Sequence, residues 1–470
     1  MNKATRIQKI EEIIEKKNPL GSLEIPWEDG LESMDFFKVP LDYLIYNKYN
    51  GRILSRTKSL EKQHKNIDPE SAEGKAKIEE LLWASKIDRN KKTLESINRS
   101  GQKKPGMITR DGIIIDGNRR AMLLDRSGKF NYFKAIILPV TLEEDPLGIE
   151  ELETTYQMGE DEKLGYNPIE KYLKAKGLYQ KLANKTYSSR NSQPNSQALK
   201  KISDWMGESE RTIKEYLQVM ETMDDYLKHL DYDGIYTQLD GREDQSINLT
   251  QWINRFYGEN SATAFSGYRD DDVDDLRSIA YDYIRIKYEG KKFRYLAKGQ
   301  KPNHFFGSKD IWSRFRDRHF EIIRTIEEED INLNSQNFEA HLNDRDNKYQ
   351  EKTFDFFDDN VDTHYQDLRY RKAEDEPSKL IKDAKRALAS INQRHKSFSA
   401  PEVAGELESV NGLVTSMLNN SSPAKVFSHI LRLLESIDIE EQADNKNELE
   451  EKVKEVQRLV YQITKQIKKL

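Results

Sequence analysis

Cysteine is absent from all 470 residues. That excludes disulfide scaffolds, thiolate metal sites and thiol nucleophiles, and it suits a reducing cytoplasm. Long apolar runs are missing as well. No stretch approaches the roughly 18 uncharged apolar residues that a bilayer requires, and the mean hydropathy is −0.87. The opening MNKATRIQKIEEIIEKKN alternates charge with Ile and lacks the apolar centre of a signal peptide. A cytoplasmic protein with no membrane partner is the expectation. The eight histidines form no HExxH or HxxxH pair, and no Walker lysine, GxGxxG or GxSxG motif occurs. Zinc hydrolysis and serine hydrolysis therefore find no support.

What the chain does have is charge and large rings: 34% of residues are charged, beside 23 Tyr, 17 Phe and 5 Trp. Such rings supply enough apolar surface to bury several cores rather than leave a disordered polyelectrolyte. Residues 1–140 hold 27 Lys+Arg against 20 Asp+Glu, a net +7, so the remainder carries −13. An anion belongs in the amino-terminal third. Asp270, Asp271, Asp272, Asp274 and Asp275, with Asp358, Asp359 and Asp362, read as solvated acidic surface, with metal binding as the alternative.

Strand signals are confined to the start: Phe36, Val39, Leu41, Leu44 and Ile45 around Pro40, then MITR, GIIID and YFKAIILPV between 107 and 140. Between them Leu82, Ile87, Leu94 and Ile97 fall at helical intervals, with Gly101 as the stop. After Pro146 helical spacing takes over. This divides the chain into 1–145, a mixed α+β domain; 146–230, helical; 231–375, helical with no assigned role; and 376–470, helical. In the last stretch Leu449, Val453, Val456, Val460, Ile463, Ile467 and Leu470 are spaced alternately four and three apart, an a/d seam. A coiled-coil-like homodimer fits that seam, and so does a helix packed on its own domain.

The segment MITRDGIIIDGNRRA, Met107–Ala121, predicts a strand, a turn at Asp111-Gly112, a second strand, and a helix opening at Asp116-Gly117-Asn118-Arg119-Arg120. A glycine delivered into a helix start leaves backbone N–H groups facing outward, and two arginines add charge for a phosphate. The plain alternative is a strand-ending glycine with solvated arginines. Asp116 is either the helix cap or the nearest carboxylate for a cation.

The stretch TLESINRSGQKKPGMITRDGIIIDGNRRAMLL resembles the ParB/sulfiredoxin-like superfamily, with Thr93 to Ile97, Gly101, Gln102, Pro105 and Gly117 to Ala121 in the family's places. The upstream VPLDYLIYNKYNGRI looks like that family's opening strand and polar loop, with Asn50 and Arg52 as the matching pair. The resemblance implies that Gly117, Asn118, Arg119 and Arg120 seat a nucleoside triphosphate, CTP or ATP, optionally with Mg2+, and that Arg52 assists. Asn118 stands where segregation proteins of the family usually carry Glu, which puts hydrolysis in doubt, since an amide is a poorer ligand for a hard cation. Sulfiredoxin chemistry needs a cysteine, and none exists. Asn167-Pro168-Ile169-Glu170-Lys171 resembles the family's "NPIEEA", although the preceding residues do not reproduce its ENLQR; Gln157, Glu160 and Lys163 fall near that place, and Lys163 is the one suited to a phosphate.

Residues 196–224 read as a helix-turn-helix. Leu199, Ile202 and Trp205 or Met206 form one stripe, Gly207 the turn, Ser209 a cap, and Ile213, Leu217 and Met220 the second stripe. The resemblance places such a motif here, with Lys200 and Lys201 against a DNA backbone and Arg211, Lys214 and Gln218 facing a groove. The aromatic and basic segments between 231 and 375 are either core or a platform for single-stranded bases. The expected function is ParB-like DNA binding regulated by a triphosphate, with DNA and a second copy as partners and the nucleoid as its place. The alternative is a metal-dependent nuclease or NTP-hydrolysing effector of bacterial defence using Asp116. A third reading is a scaffold with a degenerate pocket.

Overall fold

The computed structural model describes residues 1–28, 30–63, 66–159, 167–189, 193–258, 261–328, 330–332, 338–373, 376–419, 423–435, 437 and 446–469. These fall into two units, Met1–Asp375 and Glu376–Leu470.

The first unit begins with α1 (Lys3–Glu15), the hairpin β1 (Gly21–Trp27) and β2 (Gly30–Pro40), α2 (Leu54–Lys62), α3 (Ala72–Ser85) and α4 (Ile87–Ser100). Then come β3 (Gly106–Ile108), β4 (Ile114–Asp116), α5 (Asn118–Ser127), β5 (Tyr132–Ile137) and α6 (Pro146–Thr154). The five strands make one mixed sheet in the order β1-β2-β5-β3-β4, antiparallel except for β3 beside β5. Successive side chains on a strand point to opposite faces, and both faces here are apolar. Ile108, Ile114, Phe133, Ala135 and Ile137 join α5's Ala121, Met122, Leu123 and Leu124 in one core. Their neighbours Met107, Ile115, Ile136 and Leu138 pack with Ile149 and Leu152 of α6 in another. A sheet covered on both sides reads as short continuous apolar runs such as GIII and AIIL, with no polar alternation.

Three sequence expectations differ from the observed elements. The hairpin partner β1 carries too few β-branched residues to stand out. Leu41–Tyr43 is a single 3-10 turn rather than strand, because Pro40 removes a ladder donor and ends β2 there. The helix expected from Leu82 through Ile97 is two helices, broken at Lys86 where φ is −156° and ψ is 72°.

The helical body follows: α7 (Pro168–Ala183), α8 (Ser196–Met206), α9 (Glu210–His229), α10 (Glu243–Phe256), α11 (Asp270–Arg285), the short α12 (Gly290–Phe293), α13 (Lys309–Arg324) and the 35-residue α14 (Phe338–Lys372). Single cores run across the lines at 145 and 230, since Ile149 and Leu152 of α6 pack with the sheet and the end of α9 packs with α10–α14. Ile213 and Leu217 of α9 pack with α7 and α8, while Met220, Met223, Tyr226 and Leu227 one to three turns on belong to the large core of α10–α14. The aromatics of 252–320 are core or packed against it, not a stacking platform, while Phe356 and Tyr370 of α14 are exposed: Trp252 lies 4.9 Å from Phe293, and Phe306 lies 5.0 Å from Trp312, all four buried. The acidic runs are helix surface bound up in ion pairs, with Asp272 and Asp275 on Arg316, Asp358 and Asp362 on Lys292, and Asp359 on Arg318.

The second unit contains α15 (Pro377–Ala389), α16 (Pro401–Asn419), α17 (Pro423–Glu435) and α18 (Lys446–Ile467). No described residue of it is buried, and Val453, Val456, Val460 and Ile467 of the α18 seam are exposed. Leu470 lies outside the described residues.

Among the contacts that tie the sheet domain to the helical body, one is a buried carboxyl. Glu170, in the first turn of α7, accepts from Ser55 N at 3.0 Å and Ser55 Oγ at 2.6 Å, and so caps the start of α2 from outside. Burial pushes its carboxyl up from 4.5 to about 7, against the opposing pull of the Ser55 bonds. The folded protein therefore holds this proton more tightly than the unfolded chain, and the stability so gained is complete below 4.5 and lost as pH rises through about 7. Urea unfolding at pH 5 and pH 8 is expected to show Glu170→Gln losing less stability across that interval than the parent, by at most ~3 kcal/mol. Parallel losses in the two proteins would show that Glu170 does not titrate in this window.

Candidate functional site: a cationic pocket at the start of α5

β4 ends at Asp116, and Gly117 turns the chain into α5 with φ 100° and ψ 15°, in the left-handed region. A Cβ at Gly117 would stand 2.7 Å from the Phe133 ring. Both the turn and the close approach to β5 therefore require glycine. No side chain caps the helix at Gly117. The expectation that Asp116 caps α5 is thus corrected. Gly117 occupies the cap position, so Asp116 lies one residue too early, and its carboxylate pairs with Arg120 one turn on.

The two arginines, adjacent in sequence, have opposite surroundings. Arg120 is tied to Asp116 and donates to the carbonyls of Lys104 at 2.5 Å and Pro105 at 2.8 Å, so it braces the turn. Arg119 donates through Nε to Asn90 Oδ1 and through Nη2 to Thr93 Oγ1 at 3.5 Å. Asn90 is itself fixed, buried at the start of α4 with Nδ2 donating to the carbonyls of Leu82 at 3.1 Å and Trp83 at 2.8 Å. An amide thus aims the Arg119 guanidinium without cancelling its charge.

These residues surround a cavity of about 280 Å3, bordered also by Asn50, Arg52, Arg89, Lys104, Tyr156 and Gln157. Burial, and then the charges of Arg52 and Arg89, push the Arg119 guanidinium down to about 10. Lys86 is lowered in the same way, by burial and then by Arg89, Arg52 and Arg119. Like charges crowded into a half-buried concavity raise each other's energy, and a polyanion relieves that cost. Tyr156 offers an aromatic face, with Lys104 Nζ 5.3 Å from its centroid. The pocket is close to the lower end of the size range of small-ligand sites.

Gly117, Asn118, Arg119, Arg120 and Arg52 therefore meet at one place, as the sequence places them, but not all face a ligand. Asn118 spends both ends of its amide on structure, accepting from Asn47 N at 2.9 Å and donating to Ile114 O at 3.1 Å. It anchors the loop that carries Asn50 and Arg52. Lys163 and Glu160 lie outside the described residues. Arg89, Lys86, Lys104 and Tyr156 are additions that the sequence does not single out. Positions 86, 89, 90 and 93 share one face at helical spacing, a polar stripe that reading the segment for apolar periodicity passes over. Among the described residues no group of three or more Asp, Glu or His side chains is placed to hold a metal ion.

Lys200 and Lys201 are exposed on α8, and Arg211 and Lys214 are exposed on the first turns of α9, while Gln218 is half-buried. The turn between them follows the expected chemistry: Gly207 has φ 65°, and Ser209 Oγ accepts from Thr212 N at 3.0 Å. Arg211 pairs with Glu215 at 3.0 Å, both well exposed.

No family model and no curated protein matches the chain. Among solved structures, the C-terminally truncated chromosome-partitioning protein ParB from Caulobacter crescentus, complexed to the centromeric parS site, aligns with 44% of this chain and 87% of that one, at 13% identity and a TM-score of 0.25. A superposition that loose carries no argument about site or partner.

Gly117→Ala is expected to cost about 1–3 kcal/mol, since the left-handed strain and the Phe133 clash add. Gly128 at the far end of α5 has φ 64°, and a Cβ there would meet nothing within 4 Å. Gly128→Ala is therefore expected to cost only the strain, about 1 kcal/mol. Chemical denaturation of the two variants compares them directly, and equal losses would mean that the close approach at Gly117 is relieved by the Phe133 ring moving aside.

Proposed function

We propose that the chain is a DNA-binding protein whose sheet domain takes a nucleoside triphosphate, CTP or ATP, in the pocket at the start of α5. The single observation behind this is the Arg119 guanidinium, aimed into a concavity by an amide and crowded by Arg52 and Arg89. Phosphate oxygens meet helix N–H groups and guanidinium donors there, and a base has Tyr156 to lie against. The family resemblance of the DGNRR segment supports the same ligand class. Arg119 is the principal phosphate contact with Arg52 and Arg89 beside it, and Arg120 holds the turn in shape.

DNA is taken by α8 and α9. Lys200, Lys201, Arg211 and Lys214 supply positive charge on exposed helix surface, and Glu210 and Glu215 on the same turns limit non-specific affinity. A second copy covers the α18 seam, whose Val453, Val456, Val460 and Ile467 are exposed. Asn47 and Asn50, on the loop that carries Arg52, both donate to Glu153 of α6 at 3.5 Å, and Glu153 meets Lys174 of α7 at 3.5 Å. A ligand that moves this loop therefore acts directly on the helical body, and nucleotide and DNA affinities are coupled reciprocally.

Isothermal titration of CTP, ATP and GTP into the full chain and into Arg119→Ala tests the pocket. The parent is expected to bind at least one of them, with the variant weaker by at least about tenfold. Equal affinities would sink the assignment. For DNA, Lys200→Glu with Lys201→Glu, and separately Arg211→Glu with Lys214→Glu, are expected to weaken duplex binding across sequences and to flatten its salt dependence by about one unit of slope per lost phosphate contact. Unchanged affinity and slope in both variants would place the DNA surface elsewhere.

A further inference from the structure

On the reading of the pocket as a polyphosphate site, we infer that it takes its ligand as the bare polyanion, in preference to the magnesium complex. Among the described residues that line it Arg52, Arg89, Lys104, Arg119 and Arg120 are cationic, and Asp116 is the single carboxylate. That carboxylate is committed to Arg120. Magnesium needs oxygen ligands in near-octahedral order and gives up its waters reluctantly. The pocket offers it one carboxylate, already paired, among guanidinium groups that repel a dication.

Asn118 does not fill the gap. Its carbonyl oxygen already accepts from Asn47 N and its amide nitrogen donates to Ile114 O, so the side chain is held in place joining loop to strand and brings no negative charge to a metal. The described residues therefore do not fit a divalent ion, and the positive charge that a metal brings to a triphosphate is here supplied by the protein. Lys86 and Arg89 at the start of α4 add to it from outside the glycine turn. A metal that chelates the phosphates cancels two of the charges the pocket is built to attract, so it acts as a competitor for the ligand.

Two probes test this on the full chain, CTP and inorganic tripolyphosphate, each titrated in EDTA and in excess Mg2+ with ionic strength matched by KCl. Both are expected to bind in EDTA, and Mg2+ to weaken each by about tenfold through loss of charge attraction. Arg89→Gln is expected to lower the affinity in EDTA and to narrow the difference between the two conditions. Binding that requires Mg2+, or tightens with it, would overturn the inference and leave the nucleotide reading standing. Absence of binding by both probes in either condition, together with no binding of ATP in the titration of the parent, would overturn both.

Discussion

The Arg119 guanidinium is positioned by neutral partners, and the character of the pocket follows from that choice. A carboxylate in place of Asn90 would orient the same side chain with a stronger bond and erase its charge at once. The neighbouring pair shows that outcome: Arg120, bonded to Asp116 and two carbonyls, is a structural strut. Aiming a charge while leaving it uncancelled is unfavourable for the free protein, since burial and nearby cations both act against it. The fold tolerates this because Asn90 is buried with its own donors satisfied by the end of α3, so the cost is carried by a rigid junction of three helices.

The rest of the sheet domain serves that junction. Both faces of the small sheet are covered, which fixes β4 and β5 closely enough that Gly117 must pass against Phe133 without a side chain between them. The loop holding Asn50 and Arg52 is not free to choose its place either, because Asn118 bonds its backbone at Asn47. Three elements distant in sequence, the 47–52 loop, α4 and the DGNRR turn, thus meet through side-chain amides that are each used up in structure. Amides suit this task because they donate and accept in fixed directions and bring no charge of their own into a site whose charge matters.

Much of this was legible in the sequence, for identifiable physical reasons. The turn at Gly117 was readable because a strand-Gly-helix junction has one local solution, and the α8–α9 pair because Gly207 and Ser209 occupy positions that only a few residues satisfy. The α+β start and helical body were readable from where β-branched runs stop. What stayed hidden depends on long-range packing. The break at Lys86 leaves no local mark, since neither proline nor glycine makes it, and with one continuous helix in mind Arg89 and Asn90 fall on a solvated face. The separate fates of Arg119 and Arg120 were equally unreadable, as a doublet of identical residues carries no information about which one meets a carboxylate.

The charge is also unevenly spread over a chain of net charge −6. Positive charge is concentrated in the sheet domain, while the helical body cancels its own arginines internally: Asp346 lies between Arg242 and Arg285 at 2.8 Å from each, and Glu328 takes Arg285 and Arg345. Buried pairs of this kind give no attraction at a distance. The field comes from regions where cations outnumber carboxylates, which favours an anion at the α5 pocket over a body that is nonetheless rich in arginine. The sign of the whole chain is therefore a poor guide to its partners, and the distribution of carboxylates among the arginines is a better one.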